Sequence, residues 1–139
     1  MFNIRPATPE DAEAFYKISL VTGDGGGDAT YLHKYGNLIG DYYSVPYLHG
    51  ARAHAFVAED QNGVAGFAVG AADTIAFEHW MKTTWGPAAR LKYPAPDAPE
   101  ITPDDARYLL RIHHGDPDPP DVVKAYPAHM HMNLSLIHI

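Results

Sequence analysis

His129 and His131 are separated by a single residue, Met130, in a stretch whose polar and apolar side chains alternate strictly as far as Leu134. On a β-strand this spacing aims His129, His131 and Asn133 to one side and Met130, Met132 and Leu134 to the other. Imidazoles ordinarily titrate at about pH 6.5, so two of them on one face suit proton transfer at neutral pH. The same His-x-His could instead grip a metal ion, with His113, His114 or His138 as third ligand. The carboxylates nearest in sequence, Asp116 and Asp118, sit in a proline-rich stretch without fixed ligand spacing, so no metal centre is expected. The plainest alternative is a polar strand face packed beside a loop.

A strand needs neighbours to position it, and the chain supplies them in order. Phe2 to Arg5 reads as a first strand, closed by Pro6. Thr8 followed by Pro9, Glu10 and Asp11 is a helix start, with a capping hydroxyl, proline at the first helical position and acids near the positive end of the dipole. Ala12, Phe15 and Ile18 then fall on one helical face, and the helix is expected to end at Gly23. Gly23 to Asp28 is a glycine-rich loop, but no Gly-Lys-Ser/Thr follows and two aspartates would repel phosphate, so it is not a nucleotide loop. A second helix is predicted over Ala29 to Leu38, with Tyr42 to Leu48 as a turn or shorter helix.

Ala53 to Glu59 and Val64 to Ala71 form the clearest hairpin, joined by Asp60-Gln61-Asn62-Gly63. A helix is predicted over Thr74 to Trp85, capped by Asp73 or Thr74, with Trp80 and Trp85 packing toward the sheet. Pro87 to Pro127 reads as a proline-rich insertion, a flap carrying one helix from Pro103 to Ile112 behind Thr102. A turn of helix, Val122 to Tyr126, leads into the histidine strand.

Composition removes several functions. The 139 residues are 46% hydrophobic, enough for one domain with a core. With no cysteine there is no disulfide framework, thiolate metal site or cysteine nucleophile. A net charge of -7 and the lack of basic clusters argue against a nucleic-acid partner. No apolar stretch approaches the roughly 20 residues that span a bilayer, and Met1 to Pro6 lacks the apolar region of a signal peptide. A cytoplasmic protein without a membrane partner is expected.

The order strand, capped helix, helix, hairpin, strand resembles the opening of the GCN5-related N-acetyltransferase (GNAT) superfamily, as does Ile4-Arg5-Pro6-Ala7-Thr8-Pro9-Glu10-Asp11. Gly23 to Thr30, Pro46-Tyr47-Leu48, Phe56 to Asp60, Gly70 to Thr74 and Tyr126 to Leu134 together are similar to a bacterial subgroup. That subgroup resembles the acetyltransferase-like domain attached to some O-GlcNAc hydrolases. The resemblance covers nearly the whole chain. It implies an α/β (α+β) domain with a mixed central sheet flanked by helices, and acetyl transfer from acetyl-CoA to an amine.

The resemblance also assigns roles. Arylalkylamine N-acetyltransferases carry a similar histidine pair, which is thought to drain a proton from the substrate ammonium. This makes His131 the first candidate base and His129 the second. The backbone of Met132, Asn133 and Leu134 would meet the thioester and pantetheine. Asp24 and Asp28, in the loop where acceptors enter such folds, would attract a cationic amine; Tyr47 and Asp73 would line or orient it, though Asp73 also suits a helix cap and Tyr47 the core. Attack would be direct, with no covalent enzyme intermediate. The family's Gln/Arg-x-x-Gly-x-Gly pyrophosphate loop does not follow Leu134. Residues 1-134 are therefore expected to be the N-terminal part of one such domain, with the insertion at 87-127 and a non-native tail at 135-139, and this fragment would be inactive. A small-molecule or peptide amine acceptor is the expected partner, and a homodimer is allowed. The competing readings are a non-catalytic recognition module of the same fold and, behind it, a histidine-based metal binder.

Overall fold

A computed structural model describes residues 1–135. The elements are β1 (Asn3–Pro6), α1 (Ala12–Val21), α2 (Leu38–Tyr43), β2 (Ala53–Asp60), β3 (Gly63–Ala71), α3 (Thr74–Trp80), α4 (Gly86–Arg90), α5 (Pro103–His114), α6 (Val122–Ala125) and β4 (His129–Leu134). The four strands form one antiparallel sheet in the order β1-β2-β3-β4. The class is α+β, as the sequence reading predicted.

The start of α1 is fixed by charge and capping together. A 3-10 turn, Pro9–Asp11, leads into the helix behind an extended Thr8, whose N–H donates to Asp11 Oδ2 at 2.8 Å. Arg5 from β1 grips both oxygens of Asp11 at 2.9 and 2.8 Å, which holds that carboxyl below its ordinary range and ties strand to helix. Phe15 then stacks on Phe67 of β3 with ring centroids 4.4 Å apart. Around that pair Ile18, Val45, Val57, Val69 and Phe77 complete the first core, between the sheet and the helices on one of its faces.

The hairpin turns through Gln61 and Asn62, with Gly63 at φ 109° and Asp60 Oδ1 accepting the Asn62 N–H at 2.7 Å. On β4 the inward face is the polar one. His131 lies opposite Val69 and Asn133 opposite Phe67, both core residues. Met130 and Met132 point outward, 63% and 61% exposed, on the same bare face as Phe56 and Ile4. Gly70 lets β4 come close: a Cβ there would sit 2.6 Å from the His129 carbonyl oxygen.

Three local expectations change. Residues 29–38 do not form a helix; a 3-10 turn at Thr30–Leu32 is followed by an extended His33, and α2 begins at Leu38. The cause is Asp105, fully buried, which accepts from the Lys34 backbone N–H at 2.8 Å and contacts His33 Nδ1 at 2.8 Å. A backbone N–H committed to a distant carboxylate is lost to the helix.

The helix that begins at Thr74 does not stop at Trp85 but passes through a π turn, Met81–Trp85, into α4. The wider turn, with Gly86 N–H reaching Met81 O, precedes Pro87, which has no N–H to donate. The proline-rich segment is also no loose flap. Tyr108, Leu109 and Ile112 of α5 pack on Leu38, Ile39 and Ala89 as a second core. Among the described residues no helix is long and apolar enough to cross a membrane. Four of the five residues of the expected tail, 136–139, lie outside the described residues.

Candidate active site

His129 has both ring nitrogens engaged. The Thr74 hydroxyl lies 2.6 Å from the Pro127 carbonyl oxygen, which can only accept, so Thr74 donates there. With its single proton so used, Thr74 accepts from His129 Nδ1 at 2.8 Å, and Nε2, left bare, accepts the Tyr47 O–H at 2.6 Å. The network thus assigns a neutral Nδ1–H imidazole. Burial lowers the pKa of His129 and raises that of Tyr47, with the Glu78 charge adding to the latter, so the imidazole stays an acceptor and the phenol a donor.

His131 is differently placed. It packs edge-on to Tyr43 and Tyr47, with ring centroids 5.9 and 5.4 Å away, and opens onto two neighbouring cavities. Burial and the adjacent His129 lower its pKa, while the Tyr43 carbonyl works the other way. A neutral imidazole facing a cavity can take a proton.

The larger cavity, about 470 Å³, lies between the end of α1, helix α2, helix α5 and β4. From α5 it receives Arg107, Tyr108 and Arg111; from α2, Tyr42 and Tyr43; from β4, His131 and Asn133. The smaller, about 230 Å³, shares Tyr42, Tyr43 and His131 and adds Glu78 and Asp116. Asp116 Oδ1 accepts the Tyr42 O–H at 2.7 Å and lies 3.2 Å from Arg111 Nη1. Burial and the nearby Asp116 raise the Glu78 pKa.

The other predicted residues divide. Tyr47 lines the smaller cavity and donates its hydroxyl to His129. Asp73 lines neither cavity; its Oδ1 caps α3 by accepting the Ala76 N–H at 3.0 Å. Asp24 and Asp28 also line neither. Asp24 accepts the Tyr31 O–H at 2.7 Å, and Asp28 accepts the N–H and hydroxyl of Thr30, which holds its pKa down. Met132 and Leu134 turn their side chains to the exposed face, and the Asn133 amide donates to Thr22 Oγ1 at 2.7 Å, fastening β4 to the end of α1.

As the last strand of the described sheet, β4 pairs on one edge only. Alternate backbone N–H and C=O groups along its other edge are turned away from β3. That edge is the kind of surface on which an extended, amide-bearing pantetheine arm can hydrogen-bond, so the strand fits acetyl-CoA in this respect.

Sequence reasoning did not reach Arg107, Arg111, Glu78 or Thr74 as site residues. The available signal was Arg107 and Arg111 four residues apart on a helix whose other face carries Leu109 and Ile112. Among the described residues no group of three or more His, Asp or Glu side chains could hold a metal ion. His113 Nε2 is instead 3.1 Å from the Pro94 carbonyl, and His138 is outside the described residues.

The antiparallel sheet, the helices on its inner face and the inward histidine strand make a GNAT-like α+β fold. A crystal structure of SsHAT matches it with a TM-score of 0.80 and 29% identity, covering 98% of this chain and 67% of that one. The chain is also distantly homologous to Protein O-GlcNAcase of Rattus norvegicus and of Mus musculus, 27% identical to each over 135 residues. That alignment takes in 96% of this chain but spans only 15% of the length of those relatives. No protein-family model matches the chain.

Proposed function

We propose that the chain carries the amine-binding and proton-accepting side of an acetyl-CoA-dependent N-acetyltransferase. The observation that carries this reading is His131, a half-buried imidazole whose pKa is lowered by burial, in the lining of two neighbouring cavities on the inner face of β4. The GNAT-like fold and the edge of β4 that is unpaired among the described residues support it.

Acetyl-CoA supplies the activated acyl group as a thioester. The acceptor ammonium first loses a proton to His131, which passes it to solvent through the open cavity. The neutral nitrogen then forms a C–N bond at the thioester carbonyl and gives up a second proton to solvent as the C–S bond breaks; the departing thiolate takes a proton from solvent, so one proton is released per amide formed. His129, held by Tyr47 and Thr74, supports the Tyr47 wall beside His131 and keeps an uncharged neighbour there.

The test is isothermal titration of acetyl-CoA followed by an acetyl-transfer assay on a panel of primary amines. Transfer that falls on replacing His131 supports the reading. Binding of acetyl-CoA with no transfer to any amine would assign the site to recognition instead, and the absence of both would overturn it.

A further inference from the structure

The two cavities that meet at His131 differ in charge. Of the ionisable groups lining the larger one, two are guanidiniums, Arg107 and Arg111, and none is a carboxylate. That is a sharp local departure in a chain with 17 acidic and 10 basic residues. The smaller cavity carries Glu78 and Asp116.

Both arginines stand at the solvent side of the larger cavity, with side chains 65% and 41% exposed. They stand four residues apart on α5, on one side of the helix, while Leu109 and Ile112 anchor it in the second core. Among the described residues neither guanidinium is fully occupied. Arg107 lies over the Tyr108 ring, 5.2 Å from its centroid, and meets Asp104 only at 3.7 Å. Arg111 gives Nη1 to Asp116, and Asp116 also takes the Tyr42 hydroxyl. A guanidinium has five N–H donors in a planar fork, so both residues keep donors for a second oxyanion.

We infer that Arg107 and Arg111 form a subsite for a carboxylate on the same acceptor whose amine reaches His131. The acceptor is then an amino acid or a similar zwitterion, not a simple cationic amine. Its ammonium end lies toward Glu78 and Asp116 and its carboxylate toward α5. This rests on the acetyl-transfer reading for the identity of the reacting amine but makes its own claim about binding. The phosphates of coenzyme A are also anions, so the experiment separates the two.

The test is calorimetric binding of amino acids, each paired with the amine obtained by removing its carboxylate, to the full chain. Coenzyme A binding is measured in parallel. The expected result is that at least one amino acid binds about tenfold tighter than its amine, in line with a charge-assisted contact. The Arg107→Ala/Arg111→Ala double variant abolishes that preference, with coenzyme A affinity changed less than about threefold. Arg111→Lys keeps the charge without the fork and retains part of the preference. If the double variant melts markedly early, Arg107→Gln alone, which leaves the Arg111–Asp116 contact in place, is read the same way. A wild-type protein that binds both members of every pair equally overturns the proposal, as do variants that lose coenzyme A and acceptors alike. Carboxylate preference without acetyl transfer would retain the subsite and reject the enzymatic reading.

Discussion

The Tyr47 hydroxyl stands 2.6 Å from His129 Nε2, and that contact separates the roles of two histidines whose strand positions look equivalent. With Thr74 occupying Nδ1, His129 has no ring nitrogen left for a substrate proton unless the Tyr47 bond is broken. Of the two cavities His129 lines only the smaller, whereas His131, on the same face, lines both. That contrast is the geometric ground on which the proposed reaction assigns the base role to His131, and the His-x-His spacing alone does not contain it.

His131→Ala should lower kcat/KM for amine acetylation by about 10²–10⁴-fold, the usual loss on removing a general base. Acetyl-CoA affinity should change little, because the coenzyme is assigned to the strand edge. Steady-state kinetics beside calorimetry will show this. A loss confined to KM would assign His131 to acceptor binding instead.

Tyr47→Phe removes the O–H donor from a half-buried nitrogen while keeping the ring stacked on Phe77, 4.3 Å away between centroids. The cost should be about 1 kcal/mol, read as a lower urea midpoint at unchanged slope. The hydrogen bond favours the neutral imidazole, because Nε2 must be unprotonated to accept it. The His129 pKa, lowered by burial in the wild type, should therefore rise in the variant. Titration of the His129 ring resonances by NMR measures the shift directly.

Local and paired features were legible in the sequence: the Thr8 cap, the hairpin around Asn62 and Gly63, and the facing of His129 with His131. Each depends on residues within a few positions of one another. The helix predicted over residues 29–38 was not available in the same way, because what unmakes it is Asp105, more than seventy residues on, capturing the Lys34 N–H. The site followed the same division. The strand carrying His131 could be read directly, whereas the cavity wall could not. Arg107 and Arg111 enter only once α5 is known to pack against α2, and proline-rich composition pointed to a flap. Asp24 and Asp28 look free in sequence but satisfy their own loop.

His129 and His131 both have pKa values lowered in the folded state, with burial the first cause for each. Below the ordinary value of 6.5 the unfolded chain binds protons that the folded chain resists, so this contribution to stability is complete above that pH. It should decline as pH falls through 6.5 and toward the folded-state values. Chemical denaturation across pH 7 to 5 should show falling stability, and the slope should be shallower in a His129→Asn/His131→Asn variant. An identical slope in both proteins would place the acid sensitivity elsewhere. The acid limb of kcat/KM should also lie below pH 6.5, since His131 must be neutral to act.

Asp41 gives a sharper test of what holds the helices around the site. It is 1% exposed and accepts the Tyr16 and Tyr93 hydroxyls at 2.7 and 2.6 Å, with Lys92 Nζ at 3.2 Å. Its carbonyl also accepts the Trp85 indole N–H at 2.8 Å. The Lys92 side chain is 49% exposed, so screening leaves little net value in its ion pair, and Lys92→Ala should cost under about 1 kcal/mol. Asp41→Asn presents an amide N–H₂ to one of two hydroxyl donors, neither of which has another partner among the described residues. It should cost about 1–3 kcal/mol, the penalty of an unsatisfied buried group. Tyr16→Phe or Tyr93→Phe in the Asn background should recover part of the loss, since removing the stranded hydroxyl removes its desolvation cost. Urea denaturation of the single and double variants makes that comparison. A Lys92→Ala loss as large as that of Asp41→Asn would show that charge, rather than the two phenols, secures α2 between α1 and the chain that follows α4.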